Sequence, residues 1–180
     1  MAVSVSGSIH AQGARTDTAL TQRLLQEAHE GCFAALRARE QLVRNQAGAR
    51  LIESSEDRVV SERPDGSRQT YTCRIRVDGQ IVESSTRDVV QFGAEETFRR
   101  FAQNYCEAVL SGVIEEVEKS PTSRIIRMSP NNLVMLRRVF SLDNIVRVRE
   151  ELTCSGQREG EMGVVSVVHR TGPTSSGAPR

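Results

Sequence analysis

Lysine is almost missing from this 180-residue chain: of 24 basic residues only Lys119 is lysine, and the rest are arginine. Tryptophan is absent and aromatics make up 4%. No apolar run approaches the roughly 20 residues that a membrane-spanning helix needs. The first 15 residues have neither a basic start nor an apolar stretch, so they do not read as a secretory signal. There is no Asn-x-Ser/Thr sequon and no Cys-x-x-Cys, which removes zinc-knuckle and thioredoxin signatures. Glycine-rich phosphate loops, Gly-x-Ser-x-Gly, His-Glu-x-x-His and the dinucleotide fingerprint are also missing. A net charge of +1 excludes a generally basic nucleic-acid coat and a highly acidic chain.

The charges that are present are unevenly spread. Residues 1–51 and 120–180 are net basic and residues 52–119 net acidic, a segregation suited to self-association or to a charged partner. Arginine offers a planar, permanently charged fork for carboxylates, phosphates and aromatic faces. Its excess over lysine fits coding bias, or selection against modifiable lysines in a viral or host-delivered protein. Four cysteines stand at 32, 73, 106 and 154. With no secretory signal, free buried thiols in a reducing, cytoplasmic setting (a host cell or virion included) are the expectation.

Periodicity places the elements. Residues 17–49 read as a long helix, because Leu20, Leu24, Leu25, Ala28, Cys32, Leu36 and Val43 recur at helical spacing. Residues 58–90 read as a three-stranded meander: Tyr71, Cys73, Ile75 and Val77 alternate with Thr72, Arg74 and Arg76. Pro64-Asp65-Gly66-Ser67 and Asp78-Gly79 supply its turns. Residues 94–119 read as a second helix, with acids in its first turn and Lys119 in its last, as the macrodipole prefers. Beyond it come a strand at 124–128, a short helix at 132–140 with a strand as its competitor, and a hairpin of 145–154 with 164–170 around a glycine-containing loop. No repeat at a fixed period is evident. The expected fold is α+β: an antiparallel sheet in the order α-βββ-α-β-(α)-ββ, packed against two long helices. Residues 16–170 form the domain; 1–15 and 171–180 are expected to be disordered tails.

Arg58-Val59-Val60-Ser61-Glu62 through Tyr71-Thr72-Cys73-Arg74-Ile75-Arg76-Val77-Asp78-Gly79 resembles the middle of a double-stranded-RNA-binding domain, over roughly residues 50–112. The resemblance implies an α-βββ-α order and an RNA-binding ancestry. Where that family opens its second helix with basic residues, this chain has Ala94-Glu95-Glu96-Thr97, and two acids repel phosphate. The resemblance therefore implies a protein-binding version with no RNA-contact residues carried over. The paired apolar residues of the second helix are similar to a kinase-anchoring amphipathic helix; a core helix gives the same pattern.

No catalytic residues, cofactor or metal site are expected. His29 and Cys32 share a helical face without further ligands, and Glu95-Glu96, Glu115-Glu116 and Glu150-Glu151 read as solvated acids. The stripes of both helices look wider than a small sheet requires, which points to a protein partner, a homo-oligomer or a larger assembly. The expected function is a non-enzymatic assembly or adaptor protein, such as a viral or phage component or a chaperone-like subunit, acting through helix and sheet-edge contacts. Leu24, Cys32, Leu36, Phe101, Tyr105, Val109, Val113 and Val117 are its candidate interface. The alternatives are a nucleic-acid-associated protein using Arg124, Arg127, Arg137 and Arg138, and a small enzyme of unknown chemistry.

Overall fold

The computed structural model describes residues 9–141 and 144–174, with side chains for 18–140 and 144–174. Helix α1 (Ile9–Asn45) precedes four strands, β1 (Arg50–Ser54), β2 (Arg58–Glu62), β3 (Arg68–Asp78) and β4 (Ile81–Gln91). Helix α2 (Glu95–Lys119) precedes four more, β5 (Ser123–Ser129), β6 (Asn132–Ser141), β7 (Asn144–Glu159) and β8 (Met162–Pro173). All eight join one sheet in the order β1-β2-β3-β4-β8-β7-β6-β5, and every pairing is antiparallel. This is the expected α+β class with two helices on one sheet.

The order is that of two αββββ units joined through β4 and β8, so an internal repeat exists where none was expected. Its spacing is 74 residues over the helices and outer hairpins: Ala28, Cys32, Leu36 and Val43 answer to Ala102, Cys106, Leu110 and Val117. Register irregularities at Leu51/Glu53 and Ile125/Arg127 obey the same spacing. Over the inner hairpins the spacing becomes 81, matching Cys73 to Cys154 and Gly79 to Gly160. The change comes from the β6–β7 hairpin, which is seven residues longer than β2–β3. A local two-fold axis passes between β4 and β8, where Thr86 pairs with Val167, its own counterpart.

Other expectations are refined as well. The segment 132–140 is a strand, not a helix: Leu133, Val134 and Met135 are buried on both sheet faces, which erases the alternation. A strand at 50–54 precedes the meander, and the proposed glycine-containing loop is mostly strand, turning only at Gly160-Glu161. The β3–β4 turn is Gly79-Gln80, one residue later than the Asp-Gly pair suggested. Residues 50–112 do not close as a domain, because β4 pairs with β8. Of the two expected tails, Ile9–Arg15 is helical, Thr171–Pro173 belongs to β8 and Thr174 follows it; residues 1–8 and 175–180 lie outside the described set.

The free-thiol expectation is overturned. Cys32 bonds to Cys73, and Cys106 to Cys154. Each bridge ties a helix to the third strand of its own half. Spacings of 41 and 48 residues leave three connectivities open, and only the fold selects one.

Candidate functional site

Both helices lie on one side of the sheet, because the disulfides fix Cys73 and Cys154 toward them and the register carries that facing across all strands. The other side is free of helices among the described residues. The same register assigns it Arg50, Arg58, Arg68, Arg74, Arg76, Arg87, Arg124, Arg127, Arg138, Arg147, Arg149 and Arg170, against Glu53, Glu62, Asp78, Glu83, Glu151 and Glu159. Twelve cations face six anions there. The rest of the chain holds 12 basic and 17 acidic residues, so a nearly neutral protein has one face at +6 and a remainder at −5. Of these twelve arginines only Arg50 comes from residues 1–51; five come from the net-acidic middle segment and six from residues 120–180, so the face is assembled by strand register and not by the segment charges.

Most acids of this face are already neutralised. Glu83 sits between Arg76 and Arg170 at 3.4 and 2.6 Å, and Arg170 holds its carboxyl below the ordinary value. Arg87 pairs with Glu159 at 3.1 Å and Arg127 more loosely with Glu151 at 3.8 Å. The uncompensated charge collects at the β5–β6–β7 end. There Arg138 and Arg147 are direct cross-strand partners, and Arg124 and Arg149 flank Leu136 in the next row. Like charges directly opposite one another are destabilising. A concavity of about 350 Å³ opens among Pro121, Thr122, Ser123, Arg124, Leu136, Arg138 and Arg147.

A second candidate lies between the helices. Glu27, Arg137, Glu150 and His169 meet there, with Arg137 bonded to Glu27 at 2.6 Å and to Glu150 at 2.8 Å. Burial would raise Glu27, but Arg137 and Arg23 hold it below the ordinary carboxylate value. Burial pushes the His169 imidazole down, assisted by Arg137 against the pull of Glu150 and Glu27. Small cavities of about 100 and 420 Å³ adjoin the cluster. Both carboxylates are committed to Arg137, which leaves no free acid–base pair. No group of three metal-ligating side chains exists among the described residues.

The counterpart of His169 across the axis is Asp88, fully buried and bound by Arg39 at 2.5 Å and by Gln69 at 2.7 Å. Burial pushes its carboxyl up, with Arg39 and Gln69 opposing. Tyr105 closes this site, its hydroxyl 3.5 Å from Arg39 and its ionisation pushed up to about 12 by burial and by Asp88.

Of the candidate interface residues, Leu24, Cys32 and Leu36 are buried against the chain's own sheet. Phe101, Tyr105, Val109, Val113 and Val117 are partly buried and pack on core clusters. The wide stripes are thus spent inside the chain on eight strands instead of the smaller sheet expected. Among the nucleic-acid candidates, Arg124, Arg127 and Arg138 stand on the helix-free face, while Arg137 points the other way into its carboxylates. Sequence reasoning missed Arg147 and Arg149, although their two-residue spacing signals a shared strand face. No helix among the described residues is long and apolar enough to cross a membrane. Comparison with protein-family models, with curated proteins and with solved structures finds no match.

Proposed function

We propose that the protein is a non-enzymatic assembly protein whose arginine face receives an acidic protein surface. The observation that carries this reading is the split of a +1 chain into a +6 sheet face and a −5 remainder. The outward side of α2 in a second copy is such a surface, since Glu95, Glu96, Glu107, Glu115, Glu116 and Glu118 are exposed on it against Arg99, Arg100 and Lys119. Face-to-back docking of this kind is heterologous and builds rings or open arrays. The sheet edges favour it over strand addition: Ile52 and Ile126 are bulged residues on β1 and β5, and bulges blunt an edge. The two disulfides favour an oxidising compartment over the cytosol that free thiols would have implied.

A nucleic-acid partner is the second reading, favoured by the same cations. It is weakened by six interspersed carboxylates and by the absence of aromatics on the described face apart from Phe140 at the hairpin end. Light-scattering mass measured at several salt concentrations separates the two. Assembly gives masses above 19.9 kDa at low salt that fall toward the monomer as salt rises, and a charge reversal of α2, E115R/E116R/E118R, abolishes them. A chain that stays monomeric at every salt and ignores polyglutamate, yet binds duplex RNA or DNA, would replace the assembly reading with the nucleic-acid one.

A further inference from the structure

We infer that the concavity formed by Arg124, Arg138 and Arg147 is a binding site for a phosphoryl group. The inference rests on the reading that the helix-free face receives anionic partners, and it adds a discrete small-anion site to that face. Arg138 and Arg147 are register partners on neighbouring strands, and both line the concavity. Among the described residues neither forms an ion pair, and neither does Arg124; none of the residues around the concavity is an acid. Elsewhere on the same face Arg76, Arg87 and Arg170 each have a carboxylate. Among the described residues Arg68, Arg74 and Arg149 also lack an ion pair on this face, but only Arg124, Arg138 and Arg147 line one concavity together, which makes a cation-only corner.

The donors around this corner suit a tetrahedral dianion. Arg138 spends one Nη on the Pro121 carbonyl at 3.0 Å, which anchors its fork at the rim and leaves other N–H groups available. Ser123 Oγ accepts from Ser120 Oγ at 3.3 Å, so its own proton is available to an acceptor. Arg137 borders the cavity, but Glu27 and Glu150 occupy its guanidinium. Guanidinium forks bind phosphate oxygens in pairs of parallel, charge-assisted hydrogen bonds. A volume of about 350 Å³ exceeds a lone phosphate and admits the organic part of a phosphate ester.

The test is calorimetric titration of the full chain with inorganic phosphate and with glycerol 3-phosphate, at constant ionic strength. Saturable 1:1 binding is expected, weakened about tenfold or more in R138Q/R147Q and changed less than twofold in R74Q/R76Q on the same face. Thermal melting gives an independent readout. Without phosphate, Arg147→Gln melts at or above the wild type, because the like-charge pair is gone; phosphate raises the melting point of the wild type and not of the variant. Tighter binding of glycerol 3-phosphate assigns the site to esters, and equal binding assigns it to the free anion. Absence of saturable phosphate binding, or equal losses in both double variants, would overturn the inference. Polyglutamate titrated in parallel keeps the two readings apart: if it binds while phosphate does not, the face stands and the phosphoryl site falls.

Discussion

The two halves share one scaffold and fill it differently. In the second half Phe98 of α2 presses on Gly163, where an added Cβ would lie 2.3 Å from the ring, and Ala102 presses on Gly156 at 2.5 Å. The counterparts in the first half are Leu24 with Val82 and Ala28 with Ile75, which pack as one cluster. At the first pair a larger helix residue over glycine replaces a smaller one over a branched side chain; at the second the helix keeps alanine while isoleucine becomes glycine, and Phe98 also reaches that glycine, 3.4 Å from where a Cβ would stand. The one large ring of Phe98 thus takes up space that two branched strand side chains fill in the first half. The polar positions diverge more. Asp88, Gln69 and Tyr105 make a closed, fully bonded site; their counterparts His169, Glu150 and Gly31 make a site with cavities beside it. Apolar packing keeps a scaffold while polar positions are free to differentiate, and the half that leaves space also carries the cluster of Arg124, Arg138 and Arg147.

The largest expected effect tests how alike the halves remain. Each disulfide closes a loop of about the same length, 41 or 48 residues. Loop-entropy arguments assign about 4 kcal/mol to either, with a difference of only about 0.1 kcal/mol. C32A/C73A and C106A/C154A should therefore lose similar stability in denaturant unfolding. A deficit confined to one variant would show that only that half depends on its bridge.

The Asp88 site comes next. Arg39→Met leaves a buried carboxyl with Gln69 as its remaining donor, and breaking a buried pair in this way costs about 3 kcal/mol at pH 7. The sign of the pH dependence follows from burial. Losing Arg39 raises the folded-state value of Asp88 further above its ordinary 3.8, so the folded state binds the proton more tightly than the unfolded state does. Stability is then lost as pH rises from about 3.8 through the folded-state value, and the deficit against wild type should be smaller at pH 4 than at pH 7. Urea unfolding at the two pH values checks it; a pH-independent deficit would mean that Arg39 acts by packing on Tyr71, whose ring lies 4.6 Å away, and not by charge.

Much of this architecture is legible in the sequence, and the gaps have physical causes. The helices and the 58–90 meander stand out because each has one wet and one dry face. The β6 strand does not, since burial on both faces at Leu133–Met135 leaves a continuous apolar run that helix and strand explain equally well. The duplication hides because the seven-residue extension of β6–β7 shifts the spacing from 74 to 81, so no single period collects all the matches. A search allowing one offset change would have matched Cys32 and Cys73 to Cys106 and Cys154 and suggested the disulfide pairing. The arginine face is half visible in the sequence: Arg74 and Arg76 alternate with apolar residues, which puts them on one strand face, and Arg124, Arg127 and Arg138 stand among the nucleic-acid candidates. Only the strand order brings them together and separates Arg137 from them.

The smallest expected effect concerns one glycine in each helix. Gly31 answers to Tyr105 and Gly112 to Ala38, so each half has a glycine where the other has a side chain. Both are exposed, and a Cβ at either would meet nothing within 4 Å. On helix propensity alone, Gly31→Ala and Gly112→Ala should each stabilise by about 1 kcal/mol, or roughly 2–4 °C in melting temperature. The pair works as a control on the cleft beside His169. Gly31 lines that cleft and Gly112 does not. Equal gains would mean that the open site in the second half tolerates a methyl group and that its space comes from the missing phenol ring. A gain at 112 without one at 31 would mean that something occupies the cleft in solution and is displaced by the methyl group. Differential scanning calorimetry of the two single variants separates these outcomes, and equal gains are expected.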